Sequence, residues 1–108
     1  MIPAYCSSYP VSIFMAGDYD AARLICRGYC DEVGLCVTVT ATSYVYTGGE
    51  QAGFIVGLIN YPRFPSSQDQ IASHALRIAD RLREQLGQDS YSIQHPDMTV
   101  FHSWRDQS

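Results

Sequence analysis

Two stretches of this chain carry a hydrophobic period of 3.6, and a turn-forming glycine pair lies between them. That order constrains the fold more than any other feature. From Tyr19 to Val33, the residues Tyr19, Ala22, Ile25, Cys26, Tyr29, Cys30 and Val33 share one arc, with Asp20, Arg23, Arg27 and Asp31 outside it. Asp18 stands at the N-cap position, and Gly34 where a left-handed C-terminal cap belongs. A second helix is predicted over Gln68–Leu86. Ser67 and Gln70 match a capping box, Ile71, Ala75, Ile78, Ala79, Leu82 and Leu86 form the apolar face, and Gly87 ends it.

The remaining segments read as strands. Val11–Ala16 is a short apolar run. Leu35–Tyr46 alternates, with Val37, Val39, Ala41 and Val45 on one face and Thr38, Thr40, Thr42, Tyr44 and Tyr46 on the other. Thr47-Gly48-Gly49-Glu50 is a hairpin signal, and Phe54–Ile59 is again apolar. Tyr91–Gln94 and Thr99–Trp104, around His95-Pro96-Asp97, make one or two strands. The order β-α-β-β-α-β predicts an α+β, ferredoxin-like two-layer sandwich. Two helices cover one face of an antiparallel sheet, with room for an extra C-terminal strand. One domain over residues 1–108 follows, with an arm at 1–10, the sandwich at 11–104 and a tail at 105–108.

This topology leaves one sheet face without helices. Phe14, Ile55 and Ile59 place apolar side chains toward it, so the open face is expected to be too apolar to stay wet. The chain's own ends, a second copy or a foreign protein are the candidate covers.

Composition excludes several partners. Eleven acidic residues oppose seven basic ones, for a net charge of −4, and all seven basic residues are arginine. Phosphate binding normally needs a dense cationic face, so nucleic acid is not an expected partner. Neither a basic N-terminal region nor a long apolar run is present, which reads as a cytoplasmic chain without a membrane span. The four cysteines then read as thiols.

Catalytic and metal motifs are missing. Cys26, Cys30 and Cys36 lack the tight paired spacing of zinc ligands, and His74, His95 and His102 are scattered. No nucleophile elbow or phosphate loop occurs. His-Pro-Asp lies in a strand turn and not between two helices, where co-chaperones carry it. No catalytic residue, metal site or cofactor is therefore assigned.

What the residues do offer is a surface. In NYPRFPSS, Pro62 and Pro65 fix the backbone around Tyr61, Arg63 and Phe64, and tyrosine and arginine are enriched in binding hot spots. Phe64 also stands where a hydrophobic staple would pack at the start of the second helix. Tyr44 and Tyr46 add an aromatic edge on the second strand, and Leu24 lies on the polar side of the first helix. These six are the candidate partner-binding residues.

The stretches VGLCVTVT, YTGGEQAGFIVGLINYPRFPSS and HPDMTVF resemble a small family of uncharacterised bacterial and phage-associated proteins. In size, charge and lack of motifs, the chain is also similar to the short acidic inhibitors that phages encode, anti-CRISPR proteins among them. That resemblance implies a non-catalytic protein-binding module acting on a host defence complex. The alternative is a small homodimeric ferredoxin-like enzyme or ligand-binding domain, with its site between the sheets of two copies. Tyr44, Tyr46 and one histidine would then line the cavity.

Overall fold

The computed structural model describes residues 1–105. In chain order the elements are β1 (Val11–Ala16), α1 (Tyr19–Val33), β2 (Thr38–Tyr46), β3 (Gly49–Leu58), α2 (Gln68–Leu86), β4 (Ser90–Gln94) and β5 (Thr99–Ser103). The antiparallel sheet runs β2-β3-β1-β4-β5, and both helices pack on one face. This is the expected α+β two-layer sandwich, with the extra C-terminal strand present as β5. Adding β5 moves β4 inward and makes β5 the second edge.

Local chemistry sets the helix ends. Asp18 Oδ2 accepts from the Ala21 N–H at 2.8 Å, and Gly34 closes α1 at φ 74°. Ser67 and Gln70 form the reciprocal capping box of α2, and Gly87 ends it at φ 66°. Ala22, Cys26 and Tyr29 of α1 and Ile71, Ala75, Ile78, Ala79 and Leu82 of α2 are buried. They meet Val11, Ile13 and Met15 of β1, Phe54, Val56 and Leu58 of β3, and Tyr91 and Ile93 of β4. At about 1.5–3 kcal/mol per fully buried large apolar side chain, this layer is the main source of stability.

Two expectations about the sheet are corrected. β3 begins at Gly49, five residues before the apolar run, because the hairpin keeps pairing up to Tyr46–Gly49. More important, the open face is mixed. β1 gives it Ser12, Phe14 and Ala16, and β3 gives it Gly53, Ile55 and Gly57. Ile59 lies past the end of β3. The glycines are required. A Cβ on Gly57 would stand 2.5 Å from Thr38 Oγ1, and one on Gly53 would collide with the Tyr44 ring. Bulky apolar side chains on that face reduce to Phe14, Ile55 and Phe101.

Asn60 is the one buried polar side chain among the described residues. Its Nδ2 donates to the Ser7 carbonyl at 2.7 Å, and its Oδ1 accepts from the Ser66 N–H at 2.8 Å. Its own carbonyl accepts from Cys6 Sγ at 3.4 Å. No helix among the described residues is long and apolar enough to cross a membrane.

Candidate functional site

Two depressions compete for a functional role. The first is an apolar groove of about 680 Å³ at the end of β3, between the C-terminus of α1 and the N-terminus of α2. Tyr61, Phe64, Cys30, Cys36 and His74 line it. A bridge in which the Phe64 N–H donates to the Tyr61 carbonyl at 2.9 Å holds the rim. The neighbouring Cys36 thiol, with partial burial, raises the Tyr61 hydroxyl above its ordinary range. Burial likewise raises the Cys30 thiol. His74 is engaged through Nδ1 with the Tyr29 hydroxyl at 2.8 Å. No charged side chain lines this groove among the described residues.

The second depression is a polar cleft of about 430 Å³ at the edge of the open sheet face, where β3, β1, β4 and β5 meet the turn after α2. Phe14 of β1 is paired with Ser92 of β4, and Ser92 with Phe101 of β5. All three lie in one row across the sheet. With strands about 4.8 Å apart, the two phenylalanines rise from backbones about 10 Å apart, with a small serine between them. A planar ring in van der Waals contact on both sides fills about 7–8 Å, so the backbone spacing of this row suits an inserted ring.

The rest of the cleft is polar. Tyr44 reaches across Gly53, its hydroxyl donating to the Phe54 carbonyl at 2.6 Å and accepting from the Met15 N–H at 3.1 Å. The Tyr44 ring is thereby clamped as a wall, and burial holds its phenol protonated above the ordinary range. Gln51, paired with Tyr44, and Ser90, one pleat from Ser92, add an amide and a hydroxyl. At the rim, Arg105 Nε donates to Asp89 Oδ1 at 3.0 Å and Arg105 Nη2 to Ser90 Oγ at 3.0 Å. The guanidinium bond lowers the Asp89 carboxyl below the ordinary 3.8. The described lining has aromatic faces, hydroxyls, the amides of Gln51 and Gln88 and a charge pair, but no histidine or cysteine. Such a set has the chemistry to hold a polar ring-bearing ligand and carries no nucleophile–base pair.

The six sequence candidates do not form one site. Tyr61 and Phe64 share the apolar groove, with Arg63 beside them, its guanidinium 5.7 Å from the Phe64 ring centroid. Phe64 is 74% exposed and does not act as a staple. Tyr44 is in the polar cleft, whereas Tyr46 is exposed near the hairpin tip against Gly49. Leu24 is exposed on α1, in a shallow depression with Arg81 and Gln85. The sequence reading missed Phe14, Gln51, Asp89, Ser90, Ser92, Phe101 and Arg105 as cleft residues. Alternation alone places Ser90 with Ser92, but only the register of β1, β4 and β5 joins that row to Phe14 and Phe101.

Two solved structures are similar in fold over nearly the whole chain. A phage SAM lyase in complex with S-methyl-5′-thioadenosine superposes with a TM-score of 0.66 at 12% identity, over 100% of this chain and 98% of that one. A phage SAM lyase in the apo state gives 0.63 at 16% identity, over 93% and 92%. At these identities the likeness establishes the fold. No protein-family model matches the sequence, and no curated protein matches it. Both similar structures are phage enzymes. That finding overturns the leading expectation of a non-catalytic inhibitor of the anti-CRISPR type, and it favours the alternative of a small enzyme or ligand-binding domain.

Proposed function

We propose that this chain is a small phage-type enzyme that binds S-adenosylmethionine (SAM) in the polar cleft and releases S-methyl-5′-thioadenosine from it. The observation that carries this reading is the Phe14–Ser92–Phe101 row, two aromatic residues flanking a serine in the polar cleft, on a fold matched end to end by a SAM lyase holding S-methyl-5′-thioadenosine. The adenine occupies the slot between the two phenylalanines. Gln51 and the Ser90 and Ser92 hydroxyls face the ribose and the base edge.

The chemistry agrees with the lack of a nucleophile. In a sulfonium, the bond from sulfur to the four-carbon amino-acid fragment breaks with its electron pair staying on sulfur, while the fragment's own carboxylate oxygen bonds to the carbon that sulfur leaves and closes a lactone. The neutral thioether that leaves needs no proton from an acid. The cleft therefore contributes orientation and exclusion of water more than proton transfer. The clamped Tyr44 ring gives it a rigid wall.

The open sheet face supports a second copy as part of the working enzyme. Phe101 is 60% exposed there, and Phe14 and Ile55 are half-buried in one chain. A copy laid across that face would place the cleft between two sheets, and native mass spectrometry reads this directly.

The test is incubation of the purified chain with SAM, followed by chromatography for S-methyl-5′-thioadenosine. Product should accumulate in proportion to protein and fall at least about tenfold in Phe14→Ala, which loses one side of the slot. If product stays at the no-protein background across pH 6–9 and calorimetry detects no binding of S-methyl-5′-thioadenosine, the proposal fails.

A further inference from the structure

We infer that the Asp89–Arg105 pair at the rim of the cleft is a recognition subsite for an α-amino-acid head group. The cleft's ligand is then a thioadenosine bearing a zwitterionic tail, and not a bare nucleoside. The inference rests on the functional reading above and adds the part of the ligand that the pair selects.

Placement is the first argument. Ser92 and Phe101 form the slot row, and the next cross-strand pair on that face is Ser90 with Ser103. One pleat period along a strand is about 7 Å. Asp89 precedes Ser90, and Arg105 follows Ser103 after Trp104, so both charges sit at the same end of the slot. A ribose and a thioether span that gap.

The second argument is how the pair is held. Its backbones are fixed: the Trp104 N–H donates to the Asp89 carbonyl at 2.8 Å, and the Arg105 N–H to Ser103 Oγ at 3.2 Å. Its side chains are not enclosed, being 57% exposed for Asp89 and 58% for Arg105. An exposed ion pair holds itself weakly, so its members re-partner at little cost. Among the described residues, Arg105 uses two of its five N–H donors, one on Asp89 and one on Ser90. The planar guanidinium can take a carboxylate in a two-bond fork while Asp89 accepts from the ammonium. An α-amino acid supplies both ions side by side, and neither protein charge is then left facing its own sign.

The third argument is contrast. The larger groove under Tyr61 and Phe64 has no charged lining among the described residues and gives a zwitterion nothing to pair with.

Calorimetric titration with two non-reacting ligands tests the inference. S-methyl-5′-thioadenosine lacks the amino-acid head, and S-adenosylhomocysteine carries it. Wild-type protein should bind the second more tightly, and added salt should narrow the difference. Arg105→Gln should weaken S-adenosylhomocysteine about tenfold or more while leaving S-methyl-5′-thioadenosine within about twofold. Asp89→Asn should act in the same direction, and thermal melts verify that both variants fold. Equal loss for both ligands would mark the pair as a structural tie and overturn the inference. No loss for S-adenosylhomocysteine, or no preference for it in the wild type, overturns it too while leaving the functional reading intact. Binding of neither ligand by wild-type protein overturns this inference, and overturns the functional reading as well where no product forms from SAM.

Discussion

Replacing Gly53 with alanine tests the clamp that shapes the cleft. A Cβ at that position would stand 2.5 Å from the Met15 carbonyl oxygen and 2.9 Å from Tyr44 Cδ2, with Tyr44 Cε2 nearer still. The ring has to leave. Its hydroxyl then gives up the Phe54 carbonyl at 2.6 Å and the Met15 N–H at 3.1 Å. Overpacking costs about 1–3 kcal/mol. Two lost hydrogen bonds add roughly 1 kcal/mol each. The sum is about 3–5 kcal/mol, a large part of the roughly 5–15 kcal/mol typical of a domain. At about 4–8 °C per kcal/mol, the melting temperature should fall by at least ~12 °C. Denaturant titration followed by circular dichroism measures the free energy. The double variant Gly53→Ala/Tyr44→Ala separates the two contacts. With the ring gone only the Met15 contact remains, so the combined loss should be smaller than the sum of the single losses by about 1–2 kcal/mol. If Gly53→Ala costs under about 1 kcal/mol and the two changes add, the clamp contributes no strain-sensitive packing and the reasoning is wrong.

Other outcomes follow from single features. Ser67→Ala removes the acceptor of the α2 capping box and should cost about 1 kcal/mol, read as a drop of some 4–8 °C in a thermal melt. Burial, reinforced by Cys30, pushes the Cys26 thiol up to about 12. Alkylation near pH 8, mapped by mass spectrometry, should therefore modify exposed Cys36 first and Cys26 last, and early labelling of Cys26 contradicts its placement in the core. The Asp89 carboxyl is lowered by Arg105, so its favourable contribution is present above the unfolded value and lost as pH falls through the folded one. Carboxyl NMR should give a midpoint below 3.8 that rises in Arg105→Gln.

The sequence revealed most where the physics is local. Asp18, Gly34, Ser67, Gln70 and Gly87 each satisfy or close a helix end with atoms a few residues away, and each is visible as a residue type at a spacing. The Thr38–Tyr46 row was legible because a strand alternates strictly. The open face was misread because Phe54–Ile59 looked apolar on both sides, whereas Gly53 and Gly57 occupy the open side next to Ile55. The cleft was less visible still. Phe14 and Ser92 are far apart in sequence, and no local rule sets which residue of β1 faces which of β4. Arg105 read as tail, yet it pairs with Asp89; residues 106–108 of that tail lie outside the described part. Tyr61 and Phe64 border a groove that has no charged lining among the described residues.

The tie at Asn60 has a consequence for how the protein ages. A carboxamide has a donating end and an accepting end, and both are in use, one on the first ten residues and one on the approach to α2. Hydrolysis to aspartate would turn the donating end into an oxygen facing the Ser7 carbonyl. A single slow deamidation would then unfasten the leading segment, while the Ser66 N–H would keep an oxygen to donate to and the approach to α2 would stay tied.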